Sequence, residues 1–218
     1  MNSEWDIISQ TGLQFFGKMS ASISHEIKNA LAIMNESAGL LNDLAEISLS
    51  NGMPLDPEKN KSIVDRMTKQ IQRANDIIKS MNQFAHSPDD PLKEINLCDI
   101  TNLVLTLSRR FASMKCIQFI PTFKDDAIQI TTNPFLLEAL IFHCLNCVMG
   151  QIEKGTDLSI IVEKTQDGAI ICFTPFNLQQ IQETFPSEKE NALMDKLHAK
   201  LSMDLDQKNM TITLPKTI

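Results

Sequence analysis

Glycine is scarce in this chain of 218 residues: there are seven, and none follows Gly168. Backbone amides approach phosphate closely only where residues are small. The last 50 residues therefore hold no Gly-rich phosphate loop. Positive charge is also short, with 20 Lys and Arg against 27 Asp and Glu and a formal net charge of -7. That balance argues against a nucleic-acid face. Long apolar runs are missing. The most apolar stretch, Leu136 to Met149, carries Glu138, His143 and Asn146 and is too short to span a bilayer, so no membrane segment is expected. The start lacks the basic residues and apolar run of a signal peptide, which leads us to expect a soluble, cytoplasmic protein. Few residues precede the first expected helix, so no sensor segment is expected, and input would come from other proteins or there is none. Cysteines number five, an odd count, and two lie in a helix-like run. A disulfide framework is not expected, and a reducing compartment is.

What is present is a hydrophobic share of 43%, enough for a core in one large domain or two smaller ones. Phe16, Ser20, Ile23, Ile27, Ala30, Met34, Ser37, Leu41 and Leu44 step by four and three, as a coiled-coil seam does. Asn51, Gly52, Pro54 and Pro57 interrupt that pattern. The spacing resumes at Ile63, Met67, Ile71, Ala74, Ile78, Met81 and Ala85. Residues 10–50 and 58–86 are thus expected to form an antiparallel helical hairpin. Such a hairpin cannot bury its seam alone. Two copies side by side make a four-helix bundle, so a homodimer is expected. The alternative is that the second half of the chain covers the seam.

His86-Ser87-Pro88-Asp89-Asp90-Pro91 reads as a break, and the expected domains are 1–90 and 91–218. Beyond it the spacing predicts a helix over Leu97 to Met114, with Asp99 as its N-cap, and strands over Cys116 to Phe123 and Ala127 to Ile130. A helix follows over Pro134 to Met149, with proline in its first turn. Strands Leu158 to Lys164 and Ala169 to Phe173 are joined by Thr165-Gln166-Asp167-Gly168, a hairpin signal. A helix over Glu188 to Leu201 and a strand over Met210 to Leu214 complete the chain. This is an α+β arrangement, a mixed sheet with helices on one face.

His25-Glu26-Ile27-Lys28-Asn29 carries the chemistry. His25 lies about 200° around the helix from both Ile23 and Ile27, so it points away from the seam. An exposed histidine on a helix is ordinarily a surface residue. An imidazole is also mostly neutral near pH 7 and nucleophilic. Glu26 is expected to bond one ring nitrogen, fix the tautomer and leave the other nitrogen to attack. Asn29, one turn on, shares the exposed face and can position a water or a phosphoryl oxygen.

Ser20 to Leu31, with His25-Glu26-Ile27-Lys28-Asn29 at its centre, resembles the H-box of two-component sensor histidine kinases. Ile77 to Ala85 is similar to the end of that family's second hairpin helix, and Glu94-Ile95-Asn96-Leu97 to the entry into its ATP-binding domain. Asn133 to Leu140 resembles the approach to its N-box helix, and Met210 to Pro215 its last strand. The resemblance implies a dimeric hairpin over 1–90 with His25 as phosphoacceptor. It implies an ATPase-like domain over 91–218. The departures are as informative. Of the two N-box asparagines that hold magnesium and nucleotide, Asn146 remains and the earlier position is Phe142. The adenine-binding aspartate and its glycines give way to Thr174-Pro175-Phe176-Asn177. The second domain is therefore expected to be degenerate and not to bind ATP.

What the resemblance implies is a histidine phosphotransferase. It would accept a phosphoryl group from one receiver-domain aspartate and pass it to another. Magnesium would come with the receiver, and this chain would hold no cofactor and no metal. Glu26 would orient His25, and Lys28, Ala32 and Ile33 would contact the receiver. Glu26-Ile27-Lys28-Asn29 also matches the family's phosphatase pattern, in which Asn29 places a water. A non-catalytic pseudo-kinase regulator is the alternative. Cys144-x-x-Cys147 beside His143 has too few ligands for zinc and is expected to be core. His86, His198 and Arg109-Arg110 are expected on the surface.

Overall fold

The computed structural model describes residues 4–52, 54–125, 127–176, 185–204 and 206–218. Two long helices open the chain, α1 (Glu4–Asn51) and α2 (Pro57–Ala85). Gly52 ends α1 in the left-handed region, where glycine carries no side-chain penalty, and proline opens α2. Chain contacts divide the protein into two compact units. One is Ser20–Gln83, and the other joins the start of α1, through Met19, to Phe84–Ile218.

Within Ser20–Gln83 the expected seam is half covered. Ile23, Ala30, Ser37, Ile63 and Ala74 are buried, whereas Ile71, Ile78 and Met81 are 41 to 50% exposed. The expected seam also fails at both of its ends. Phe15 and Met19 are buried in place of Phe16 and Ser20, and Phe84 in place of Ala85. The reason is an aromatic cluster. Phe15 stacks edge-on against Phe84 at 5.4 Å and lies within 5.6 Å of both Phe135 and Phe142. Gly12 lets this packing close, since a Cβ there would come within 3.0 Å of the Phe135 ring. The start of α1 thus belongs with the second domain, which moves the boundary away from the expected position at residue 90.

The second unit is α+β, as the pattern of elements predicts. After β1 (Lys93–Asn96) come α3 (Leu97–Met114), β2 (Gln118–Phe123), β3 (Gln129–Thr132) and α4 (Pro134–Gln151). Then follow β4 (Asp157–Lys164), β5 (Gly168–Thr174), α5 (Glu188–Lys196), β6 (Lys200–Asp204) and β7 (Asn209–Pro215). The main sheet runs β2-β4-β5-β7-β6, parallel only at β2–β4. Strands β1 and β3 pair separately. Alternate residues Leu158, Ile160 and Val162 of β4 and Ala169, Ile171 and Phe173 of β5 are fully buried. Those faces and the apolar helix α4 make the core. Length and composition alone would let α4 cross a membrane, but it is a core helix with 61% of its length buried.

Two helix ends differ from expectation. The N-cap of α3 is Asn96, not Asp99: its side-chain oxygen accepts from the amides of Cys98 at 3.2 Å and Ile128 at 3.1 Å. The final helix ends at Lys196, not Leu201, because His198 turns the chain in the left-handed region and β6 begins at Lys200. Asn177 lies outside the described residues.

Candidate functional site

His25 lies on the exposed face of α1, as its offset from the seam requires. Its ring partner is Asn29, whose Nδ2 lies 3.1 Å from His25 Nδ1. Four residues make one helical turn, so these side chains stack along one face. In this orientation the amide donates to Nδ1, which leaves the ring proton on Nε2. Turning the amide over presents its oxygen to an Nδ1–H and leaves the Nε2 lone pair free. Asn29 can therefore serve either tautomer.

Glu26 does not perform the ring-orienting role expected of it. Its carboxylate Oε2 accepts from the Nη2 of Arg73 on α2. Consecutive residues on a helix diverge by about 100°, so Glu26 faces across the hairpin while His25 faces solvent. Lys28 and Ala32 are exposed, but Ile33 is only half-exposed. Arg73 has no counterpart in the expected site. The antiparallel pairing could have revealed it, because residues face one another as mirror images about the loop. A second pair, Arg66 to Glu36 at 2.9 Å, follows the same rule.

The positions expected to retain a trace of a nucleotide site lie on α4. Phe142 is 2% exposed and packs against Phe15 and Phe111 at 5.4 and 5.6 Å, so it is core. Asn146, one turn on, is exposed. A buried phenyl ring supplies no oxygen for magnesium, and no glycine follows Gly168. The polar feature of α4 is instead His143, whose Nδ1 is bonded to Glu190 Oε1. Burial works to raise the pKa of Glu190. The bonds from His143 and from the hydroxyl and amide of Ser187 outweigh it and hold the carboxyl at about 2.

Burial pushes the thiol of Cys147 up to about 11, with the Glu190 charge adding to it. Cys144 is raised well above 9.0 by the same causes together with Cys147. Both thiols are held protonated; Cys144 is in the core as expected, whereas Cys147 is half-buried. Among the described residues no group of three or more His, Cys, Asp or Glu is placed to hold a metal ion. His86 is exposed and bonded to Asp89 at 2.8 Å, and His198 is exposed.

Residues 17–89 match the His Kinase A (phospho-acceptor) domain family. No curated protein matches the chain in sequence. Among solved structures, the nucleotide-free catalytic domain of histidine kinase ThkA is similar at 12% identity and a TM-score of 0.50, over 58% of this chain and 99% of that one. The Acinetobacter baumannii histidine kinase AdeS is similar over 88% of this chain and 98% of its own, at 10% identity and a TM-score of 0.47. ThkA in complex with the response regulator TrrA is similar over 94% of this chain and 63% of that one, at 16% identity and a TM-score of 0.49. The helical hairpin thus matches a phospho-acceptor domain family over residues 17–89, and the chain shares the fold of a histidine kinase catalytic domain.

Proposed function

We propose that this two-component signalling protein is a histidine phosphotransferase: His25 accepts a phosphoryl group from an aspartyl phosphate on a receiver domain and passes it to another receiver. The observation that carries the reading is His25 itself, exposed within a phosphoacceptor hairpin and bonded through Nδ1 to Asn29. With Asn29 oxygen on Nδ1–H, Nε2 attacks phosphorus. A P–N bond forms, the acyl P–O bond breaks, and the aspartate leaves as a carboxylate. The reaction needs in-line positioning and charge neutralisation more than covalent help. The receiver docks over Lys28, Ala32 and the exposed part of Ile33 and brings its own magnesium. The replacement of the nucleotide residues by Phe142 and a glycine-free tail supports a donor that is a protein, not ATP.

The exposed apolar positions Ile71, Ile78 and Met81 support a homodimer in which two hairpins complete one bundle. The protein works in the cytoplasm, without membrane or nucleic acid. The test is transfer of labelled phosphate from a panel of phosphorylated receivers of the same organism, with His25→Ala alongside. Label on the wild type and not on the variant is expected. Label that stays on every receiver would contradict the proposal and favour a binding regulator. Release as free phosphate, dependent on Asn29, would favour the phosphatase reading.

A further inference from the structure

We infer that Arg73, on the second hairpin helix, is a positioning residue for phosphoryl transfer: it neutralises Glu26 and holds that carboxylate away from the ring of His25. The inference rests on the phosphoacceptor reading of His25 and deepens it. Glu26 is the nearest carboxylate to His25 along α1. A phosphoryl group brings two negative charges to this place, and an ionised carboxylate beside the acceptor opposes its approach. Water neutralises that carboxylate only in part, because the Glu26 side chain is 21% exposed. Arg73 supplies the remaining compensation from across the hairpin.

A role limited to holding the helices together fits the geometry less well. Arg66 and Glu36 already tie α1 to α2, and their carboxylate is 69% exposed, so solvent screens that pair. The two pairs differ in what lies next to the acid. Glu36 has no histidine beside it, whereas Glu26 adjoins His25. With Glu26 matched by Arg73, the exposed Lys28 leaves the site one net positive charge, which favours an incoming phosphoryl group. Without Arg73, Glu26 cancels Lys28.

A small donor tests this without a receiver. Phosphoramidate transfers its phosphoryl group to imidazole: the donor P–N bond breaks, a P–N bond to the ring forms, and the leaving ammonia takes up the ring proton as ammonium. Initial rates of His25 phosphorylation would be followed by phosphorus NMR at low salt, in wild type, Arg73→Gln, Arg73→Lys and the double variant Arg73→Gln/Glu26→Gln. Arg73→Gln is expected to slow labelling on the order of tenfold, with the defect shrinking as salt is added. Arg73→Lys should recover most of the rate, because it keeps the charge. The double variant should recover it too, because it removes the uncompensated carboxylate, although it lacks the ion pair altogether.

An Arg73→Gln rate equal to wild type overturns the inference and leaves the function standing. So does a slow Arg73→Gln that the second substitution does not relieve, or an Arg73→Lys as slow as Arg73→Gln. If His25 takes no label in the wild type, or His25→Ala takes as much, the proposed function falls and this inference with it.

Discussion

Glu138 is fully buried in α4, with Ser87 Oγ donating to its Oε1 at 2.6 Å. Its other oxygen has no hydrogen-bond partner among the described residues. Burial lifts its pKa from 4.5 to about 8, against a smaller lowering by Ser87. Below the lower value both folded and unfolded chains hold the proton. Above it the unfolded carboxyl ionises while the folded one stays neutral, so this group's contribution to stability falls as pH rises toward 8. The slope is at most about 1.4 kcal/mol per pH unit. Glu138→Gln, which mimics the neutral acid, should match wild type near pH 5 and melt at higher temperature near pH 8. Melting curves at the two values check this, and a variant less stable at both would contradict it. Nothing in the sequence marks Glu138 as a proton holder, because its burial comes from the packing of distant segments. The placement of His25 and Asn29 on one exposed face was legible from the helical period. Glu26 was misjudged because neighbours in sequence diverge in direction on a helix, and Arg73 requires the pairing of two helices.

The β4–β5 hairpin shows how a local signal fixes a turn. Gly168 opens β5 opposite Pro215, and a Cβ built there would lie 2.0 Å from the carbonyl oxygen of Leu214. Backbone cannot yield as a side chain would, so Gly168→Ala should destabilise the domain on the order of 2 kcal/mol. Chemical denaturation measures the loss, and an unchanged midpoint would show that β7 moves freely. The long helices and the core strands β4, β5 and β7 were readable because their periods are strong and their turn residues explicit. Strands β1 and β6 were not. They have four and five residues, carry charged ends, and are strands only because β3 and β7 pair with them. The early end of α5 was equally hidden, since it depends on the left-handed turn at His198.

The half-covered hairpin and the proposed relay lead to assembly and to the source of phosphate. Val64, Ile71 and Ile78 repeat every seven residues along α2 and are 43 to 50% exposed. That stripe is what a second hairpin would cover. Sedimentation at micromolar protein should give the mass of two chains. Ile71→Glu with Ile78→Glu should shift it toward one chain, and a monomeric wild type would contradict the four-helix bundle. The helical hairpin and the α+β class were both legible in the sequence. The division between the units was not, because the ring cluster of Phe15, Phe84, Phe135 and Phe142 joins segments more than 100 residues apart. The most direct test of a relay that does not use ATP is to offer the purified protein two donors in parallel, labelled ATP with magnesium and a phosphorylated receiver. We expect label on His25 from the receiver and none from ATP. Label from ATP alone, lost in His25→Ala, would contradict the account and make this protein a kinase in its own right.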